Sequence, residues 1–477
     1  MEFHNKLYID GQWLDSASGA KFSVFNPADE TLITDVASAS TEDAKLAINA
    51  AELAMREWSK KSPRDRSEVL RKVFELMEQR LNHFAELITL ENGKGYTDAI
   101  GEARYAAEFF RWFSEEAVRL EGTLLTAPVS KAKIMVHHKP AGIAVLITPW
   151  NYPAAMGTRK IAPALAAGCS VIIKPASETP LTMLALMPIL EEAGVPKGLV
   201  NVLPTDNAAE LTETLLMDPR VRVVSFTGST GVGKKILKVA AEQVLKPAME
   251  LGGNAPLIVF DDADIDEAVN GAILAKMRNL GEACTAANRF YIQDGIYDAF
   301  VEKFTAKMKA LKVGNGLDKS VDIGSLINEK TISKVEMLVN DAVSKGAKIL
   351  LGGERLKAKG YFFPPTVLTN IPDNAKCLKD EIFGPVATIQ KFTNEDEVIM
   401  RANDTEYGLV AYVFTQDVKR GLQVSEQLEF GMVGLNRGIV SDPAAPFGGS
   451  KQSGLGREGG HEGILEFTES QYISVEW

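Results

Sequence analysis

Residues 281–290, GEACTAANRF, place Cys284 among small and polar neighbours, with Arg289 five residues further on. A cysteine in such a setting can be a buried filler, half of a disulfide, a metal ligand or a nucleophile. The chain holds only three cysteines, Cys169, Cys284 and Cys377, too few for a disulfide framework. Its five histidines, His4, His83, His137, His138 and His461, include no His-x-x-x-His pair, and there is no Cys-x-x-Cys. No metal site is therefore expected. A histidine-based triad is poorly supported as well, so a general base is expected to be a carboxylate. Cys169 opens an apolar run, CSVIIK, and reads as core; Cys377 sits among charges in NAKCLKDE and is assigned no role.

A second chemical signal is the glycine loop FTGSTGVGKKI at 226–236. It follows a strand pattern and opens a helix, which turns backbone N–H groups toward a phosphate. The loop comes close to a nucleoside triphosphatase P-loop but carries Lys235 where a magnesium-binding Ser or Thr is required, and it also departs from GxGxxG. On its own it supports phosphate binding and names no cofactor; a plain strand-to-helix turn fits as well.

The elements that must position these residues fall into a regular order. KLYIDGQWLD reads as a hairpin turning at Asp10-Gly11, and Ser40-Thr-Glu-Asp43 as a capping box opening a helix. Residues 64–120 are long helical patterns broken at ENGKG, 91–95. From residue 141, short apolar strands such as GIAVLI, SVIIK and RVVSFT alternate with helices, and a second such series starts near 255. The pattern predicts an α/β protein with two doubly wound parallel-sheet domains. KIMVHHKP and the tail EFTESQYISVEW alternate like strands, with His137 and His138 at ladder positions and the tail able to pair with another chain.

Bulk properties bound the rest. A chain of 477 residues exceeds one ordinary core, and 45% hydrophobic with 24% charged residues is a globular composition. The net charge of −11 argues against a general nucleic-acid or anionic-membrane surface. No apolar run reaches spanning length and the start lacks a signal-peptide pattern, so a cytoplasmic protein without membrane or nucleic-acid partners is expected.

Seven stretches in order carry a more specific message: TPWNYP, KPASETP, FTGSTGVGKKI, MELGGNAPLIVFDDAD, GEACTAANRF, DEIFGPV and PFGGSKQSGLGREGG. Together they make the chain resemble the NAD(P)-dependent aldehyde dehydrogenase superfamily over essentially its whole length. The text around Arg159, Arg289 and Ser441 is most similar to the succinate-semialdehyde dehydrogenase branch. The resemblance implies a cofactor-binding domain (1–117 and 141–249), a catalytic domain (250–452) and a small β oligomerisation arm (118–140 and 453–477). A homodimer or homotetramer is implied with it.

By that resemblance Cys284 is the nucleophile, Asn151 the oxyanion-hole amide and Glu250 the base for the hydrolytic water. Lys174 meets the adenosine ribose, and Gly228 and Ser229 meet the pyrophosphate. Glu381 and Phe383 hold the nicotinamide ribose and ring, and Trp150 lines the cofactor site. Ser177 stands where NAD-selective relatives often carry glutamate, which leaves room for a 2′-phosphate, so NADP is expected to be accepted beside NAD. Glu282 replaces a common glutamine and is expected to point away from the sulfur. Arg159 and Arg289, with the Ser441 hydroxyl and Arg437 at the mouth, would hold a distal substrate carboxylate. The implied reaction is oxidation of succinate semialdehyde to succinate through a thiohemiacetal and a thioester. Glutarate semialdehyde, or an uncharged or betaine aldehyde, is the alternative.

Overall fold

The computed structural model describes residues 3–476; Met1 and Glu2 of the expected cofactor domain and Trp477 of the expected arm lie outside them. Leu7–Ile9 and Gln12–Leu14 pair as a hairpin. Asp10 and Gly11 both adopt positive φ, 51° and 71°, the left-handed geometry of a two-residue turn that matches strand twist. Helix Thr41–Trp58 starts at the expected capping box, with Ser40 and Asp43 each accepting the other's backbone N–H.

An eight-stranded sheet runs in the order Gln12–Leu14, Leu7–Ile9, Val200–Val202, Ser170–Lys174, Ile143–Ile147, Val221–Thr227, Lys246–Glu250, Gly454–Leu455. From Val200–Val202 to Lys246–Glu250 every neighbouring pair is parallel. Alternate residues of its central strands enter different cores. Ala144 and Leu146 pack with Val171 and Ile173 on one face, while Ile143, Val145 and Ile147 pack with Ile172 on the other. Burial on both faces is why these strands are apolar throughout.

The second sheet has seven strands: Lys348–Leu351, Thr366–Thr369, Val386–Phe392, Ala287–Gln293, Ala255–Val259, Val410–Phe414 and Met432–Leu435. All its pairings are parallel except the antiparallel edge strand Lys348–Leu351. It too is covered on both sides, with Leu257 and Phe290 in one core and Ile258 and Tyr291 in another. The fold is thus the α/β, doubly wound architecture that the sequence predicts.

Thr123–Thr126, Lys133–Pro140 and Thr468–Val475 form a separate antiparallel sheet, in which His137 and His138 sit opposite Gln471 and Ser470. It exposes Leu124 and Tyr472. Before reaching this sheet the chain pairs Gly454–Leu455 with Met249 and Glu250, so the first part of segment 453–477 edges the eight-stranded sheet. Among the described residues, no helix is long and apolar enough to cross a membrane.

Candidate active site

The two large sheets meet the site with opposite ends of their strands. In the first sheet, Ile143–Ile147 leads into Trp150 and Asn151, Ser170–Lys174 ends at Lys174, Val221–Thr227 leads into Gly228 and Ser229, and Lys246–Glu250 ends at Glu250. The carboxyl ends of parallel strands are where α/β sheets open a crevice. In the second sheet, Cys284 lies just before Ala287–Gln293, and Glu381 and Phe383 just before Val386–Phe392. The connection between the sheets passes tightly under the cysteine loop: a Cβ on Gly253 would lie 2.5 Å from the Cys284 carbonyl oxygen, so only glycine fits.

The loop that presents Cys284 is strained. Asn279 and Leu280 both have positive φ, 49° and 56°, which costs on the order of 1–3 kcal/mol each. Surrounding hydrogen bonds hold it there. The Asn279 N–H donates to Asp98 Oδ2 at 2.7 Å, and its side-chain amide donates to the carbonyls of Asn151 (2.8 Å) and Glu282 (3.0 Å). The Tyr412 hydroxyl donates to the Thr285 carbonyl at 2.8 Å. Between buried neighbours, Cys284 itself stays partly exposed.

Although the residue keeps a solvent-facing edge, protein encloses its sulfur. Burial pushes the thiol up to about 12, Glu250 and Glu381 add to the rise, and Arg159 and Arg278 oppose it. The thiol therefore needs a base to become a nucleophile. Glu250 is buried and neither carboxyl oxygen has a hydrogen-bond partner among the described residues. Burial, and then Glu458, raise it well above the usual carboxylate range, against the pull of Arg159, Lys160 and Arg457. A carboxyl with no internal partner and a raised affinity for protons is suited to exchanging one with the reaction.

Asn151 is buried, and its amide donates to the Glu282 carbonyl at 2.9 Å. It does not cap the next helix, Ala155–Ala167, whose N-cap is Ala154 without a side-chain cap bond. Glu282 is fully buried and accepts the Ile327 N–H at 3.1 Å. Its carboxyl is thus turned toward residue 327.

On the cofactor side, Lys174 is a buried cation whose pKa is lowered by burial, with Glu178 opposing. Ser177 donates to Glu178 Oε2 at 3.1 Å. Gly228 N–H is tied to the Glu250 carbonyl at 3.0 Å, and Ser229 is the N-cap of helix Thr230–Glu242 with its own hydroxyl uncommitted to the cap. Glu381 accepts the Gly253 N–H at 3.1 Å; burial holds it up to about 7, against Lys334, this hydrogen bond and Lys276. The Trp150 and Phe383 rings meet edge-to-face at 5.4 Å. A buried cation, a helix N-terminus, a buried carboxyl and two aromatic rings suit a nicotinamide dinucleotide.

The arginines divide differently from the sequence expectation. Arg159 is buried, with its Nε 2.8 Å from Glu458 Oε2 in an ionic contact not aligned as a hydrogen bond, and its guanidinium lies 4.2 Å from the Phe447 ring centre. Its Nη2 has no partner among the described residues, and the nearby buried hydroxyls of Tyr105 and Tyr152 have none either. Arg289, in contrast, is committed elsewhere. Nε and Nη2 donate to the Asn254 carbonyl (3.1 and 2.9 Å), Nη2 to Ala402 (2.9 Å) and Nη1 to Arg401 (3.0 Å). A guanidinium so occupied by main-chain carbonyls offers no fork to a substrate, and the expectation for Arg289 is corrected accordingly. The second arginine near the sulfur is Arg278, which sequence reasoning missed. It acts on the Cys284 thiol, donates to Thr285 Oγ1 at 3.0 Å and stands 5.8 Å from the Tyr152 ring centre. The available signal was a basic residue closing an apolar helix, Ile265–Met277, just before the cysteine loop. Ser441 is half-buried and Arg437 exposed, both in the loop after Met432–Leu435.

Strand ends of one sheet facing a cysteine loop from another suit an oxidoreductase that uses a thiol. Comparison with known proteins narrows the class: the model of the aldehyde dehydrogenase family matches residues 13–473, and the chain belongs to that family. It is 52% identical over 444 residues to the succinate-semialdehyde dehydrogenase of Paenarthrobacter nicotinovorans, covering 93% of this chain and 99% of that one. To the glutarate-semialdehyde dehydrogenase of Pseudomonas aeruginosa it is 46% identical over 473 residues, covering 99% and 98%. A crystal structure described as an Escherichia coli NADP-dependent enzyme matches with a TM-score of 0.98 at 45% identity, covering 100% of this chain and 98% of that one. The protein is an NAD(P)-dependent enzyme that oxidises aldehydes.

Proposed function

We propose that the enzyme oxidises succinate semialdehyde to succinate, with Cys284 as nucleophile. The observation that carries this reading is the pair Arg159 and Arg278 beside the sulfur, with Arg159 Nη2 and the Tyr105 and Tyr152 hydroxyls buried and unpartnered. Buried donors left open around a nucleophile call for an anionic acceptor on the substrate. Ser441 adds a hydroxyl and Arg437 a cation at the mouth. The names of the relatives from Paenarthrobacter nicotinovorans and Pseudomonas aeruginosa, succinate- and glutarate-semialdehyde dehydrogenase, support an ω-carboxylated aldehyde. Glutarate semialdehyde, one methylene longer, is the second reading.

In this reading Glu250 takes the Cys284 proton and the thiolate adds to the aldehyde carbon, forming a thiohemiacetal. The Asn151 amide and the Cys284 backbone N–H stabilise its oxyanion. A bound nicotinamide supplies the acceptor for the hydride that leaves this carbon. Glu250 passes that proton to solvent and, a carboxylate again, removes a proton from water, which attacks the resulting thioester; the thiolate departs and the acid is released. Lys174 and Ser177 hold the adenosine ribose and tolerate a 2′-phosphate. Gly228 and Ser229 hold the pyrophosphate, and Glu381, Phe383 and Trp150 frame the nicotinamide ribose and ring.

The same proposal assigns 1–117 and 141–249 to cofactor binding, 250–452 to catalysis, and 118–140 with the strand Thr468–Val475 to an arm for a homodimer or homotetramer, in the cytoplasm. The exposed Leu124 and Tyr472 on the three-stranded sheet support the arm. The test is reduced-cofactor formation from succinate semialdehyde and from butanal, each with NAD and NADP, in the native enzyme and in Cys284→Ala. The proposal expects a marked preference for the carboxylated aldehyde and loss of both activities in the variant, by about 10⁴-fold or more. Equal rates on the two aldehydes would sink the carboxylate site, and activity surviving without the thiol would sink the mechanism.

A further inference from the structure

The break ENGKG, 91–95, separates helix Leu81–Asn92 from helix Tyr96–Glu116, and the reaction sequence above makes no use of it. The break is built into the backbone. Gly93 sits at φ 91°, and a Cβ there would lie 2.4 Å from Ser325 Oγ and 2.7 Å from Pro27 Cγ. Glu91, Asn92 and Lys94 are all fully buried. A buried lysine is expensive, since desolvating an ammonium costs several kcal/mol before any partner is counted.

What Lys94 reaches explains why the fold carries it. An ammonium has three N–H donors, and three acceptors surround this one: Glu102 Oε2 at 2.5 Å, the Asn151 carbonyl at 2.7 Å and the Tyr152 ring face, 4.0 Å from its centre. The other Glu102 oxygen accepts the N–H groups of Ala154 and Ala155, at 2.8 and 3.3 Å. One buried ion pair therefore grips the turn after strand Ile143–Ile147 at both ends, by the carbonyl of Asn151 and by the N–H groups that open the next helix. Asn92 adds a donor to the neighbouring Trp150 carbonyl at 3.1 Å, and Asn279 a second donor to Asn151 O at 2.8 Å.

We propose that Lys94, paired with Glu102, is a positioning residue that fixes Asn151 in the orientation needed to stabilise the oxyanion. The inference rests on the reading of Asn151 as the oxyanion donor. Holding the Asn151 backbone through its own carbonyl leaves the side-chain amide free to serve the loop, where it meets the Glu282 carbonyl at 2.9 Å. A buried ion pair is weak as a source of stability, because apolar groups of the same size often do as well. Its directed hydrogen bonds are what apolar groups cannot replace, and here they converge on residues 151–155. A pre-organised donor is effective only when it is already aimed where charge will develop.

A double-mutant cycle separates positioning from plain scaffolding. Lys94→Met combined with Glu102→Gln removes the pair without leaving a lone buried charge, and Asn279→Ala removes the second donor to Asn151 O while sparing the pair. Each is placed in the native and the Asn151→Ala enzyme. Single-turnover formation of reduced cofactor from succinate semialdehyde is followed, with aldehyde KM and thermal melting alongside. In the native background the pair variant should slow the single turnover by about 10- to 100-fold, more than it changes KM, and Asn279→Ala should act in the same direction more weakly. In Asn151→Ala the pair variant should cost no more than about twofold, because nothing is left for it to position, whereas Asn279→Ala keeps the part of its loss that comes from the Glu282 carbonyl. Equal losses in both backgrounds, or no loss in the native one, would overturn the inference. Full activity in Asn151→Ala alone would remove the oxyanion reading itself, a result distinct from additivity.

Discussion

The first sheet brings the carboxyl ends of its parallel strands to the site, and the second brings the loops that enter its strands. At the first edge the candidate residues sit on or directly beyond regular structure: Lys174 and Glu250 are the last residues of their strands and Ser229 caps a helix. At the second edge the backbone is strained, with positive φ at Asn279, Leu280 and Phe383, and Cys284 and Glu381 hang from that geometry. The contrast separates two tasks. In the proposed function the regular strand ends would hold a long cofactor in place, and the strained loop would present the nucleophile to it, packed so closely that no side chain fits at Gly253.

The sharpest test of this division is at Glu250, whose carbonyl anchors Gly228 while its carboxyl is the proposed base. Glu250→Gln keeps the anchor and should slow both proton transfers assigned to this carboxyl, the single-turnover formation of reduced cofactor and the hydrolysis of the thioester. Each should fall by about 10²- to 10⁴-fold, read in single-turnover and steady-state rates of reduced-cofactor formation. In the native enzyme, hydrolysis should accelerate as pH rises through the raised Glu250 value. Full steady-state turnover in Glu250→Gln would move the base to another residue.

Across the cleft, Glu381 is expected to show itself in stability. Folded, it keeps its proton up to about 7, whereas its ordinary value is 4.5. The folded state therefore binds more protons between these values, and stability falls as pH rises through that window. Glu381→Gln should remove this slope and leave the variant more stable above pH 7, by on the order of 3 kcal/mol in denaturant melts. Parallel pH profiles for the two proteins would show that Glu381 is ionised throughout.

A smaller effect is expected at Ser177, on the rigid side. Ser177→Glu places a carboxylate near Lys174 and should lower the NADP-over-NAD ratio of kcat/KM by about tenfold, through like-charge repulsion of the 2′-phosphate. An unchanged ratio would mean that Glu178, already bonded to Ser177, governs the choice.

The same contrast governs how much could be read from the sequence. Strands buried on both faces are bare apolar runs, so the alternation from residue 141 and the two doubly wound sheets were legible. So was the Asp10-Gly11 hairpin, because its residue types tolerate positive φ. The stretches around Asn151, Glu250 and Cys284 stood out, and the structure brings them together. Arg278 did not stand out, because a basic residue closing a helix reads as a partner for the helix dipole. What turns it inward is left-handed backbone at Asn279 and Leu280, and leucine gives no warning of that. Arg289 was misread because its acceptors, the carbonyls of Asn254, Arg401 and Ala402, come from distant parts of the chain. For Lys94 the helix break was visible, but its partners at 102 and 151 were not.

The most direct test of the account compares Arg278→Met with Arg289→Met. The quantity to measure is the kcat/KM ratio of succinate semialdehyde over butanal, with thermal melting of both variants. If Arg278 grips the substrate carboxylate, its loss should reduce that ratio by about 10- to 100-fold at little cost in stability. Arg289→Met should lower the melting temperature, because three carbonyls lose their donor, and leave the ratio of the folded enzyme unchanged. A ratio that collapses with Arg289 and survives the loss of Arg278 would contradict the account.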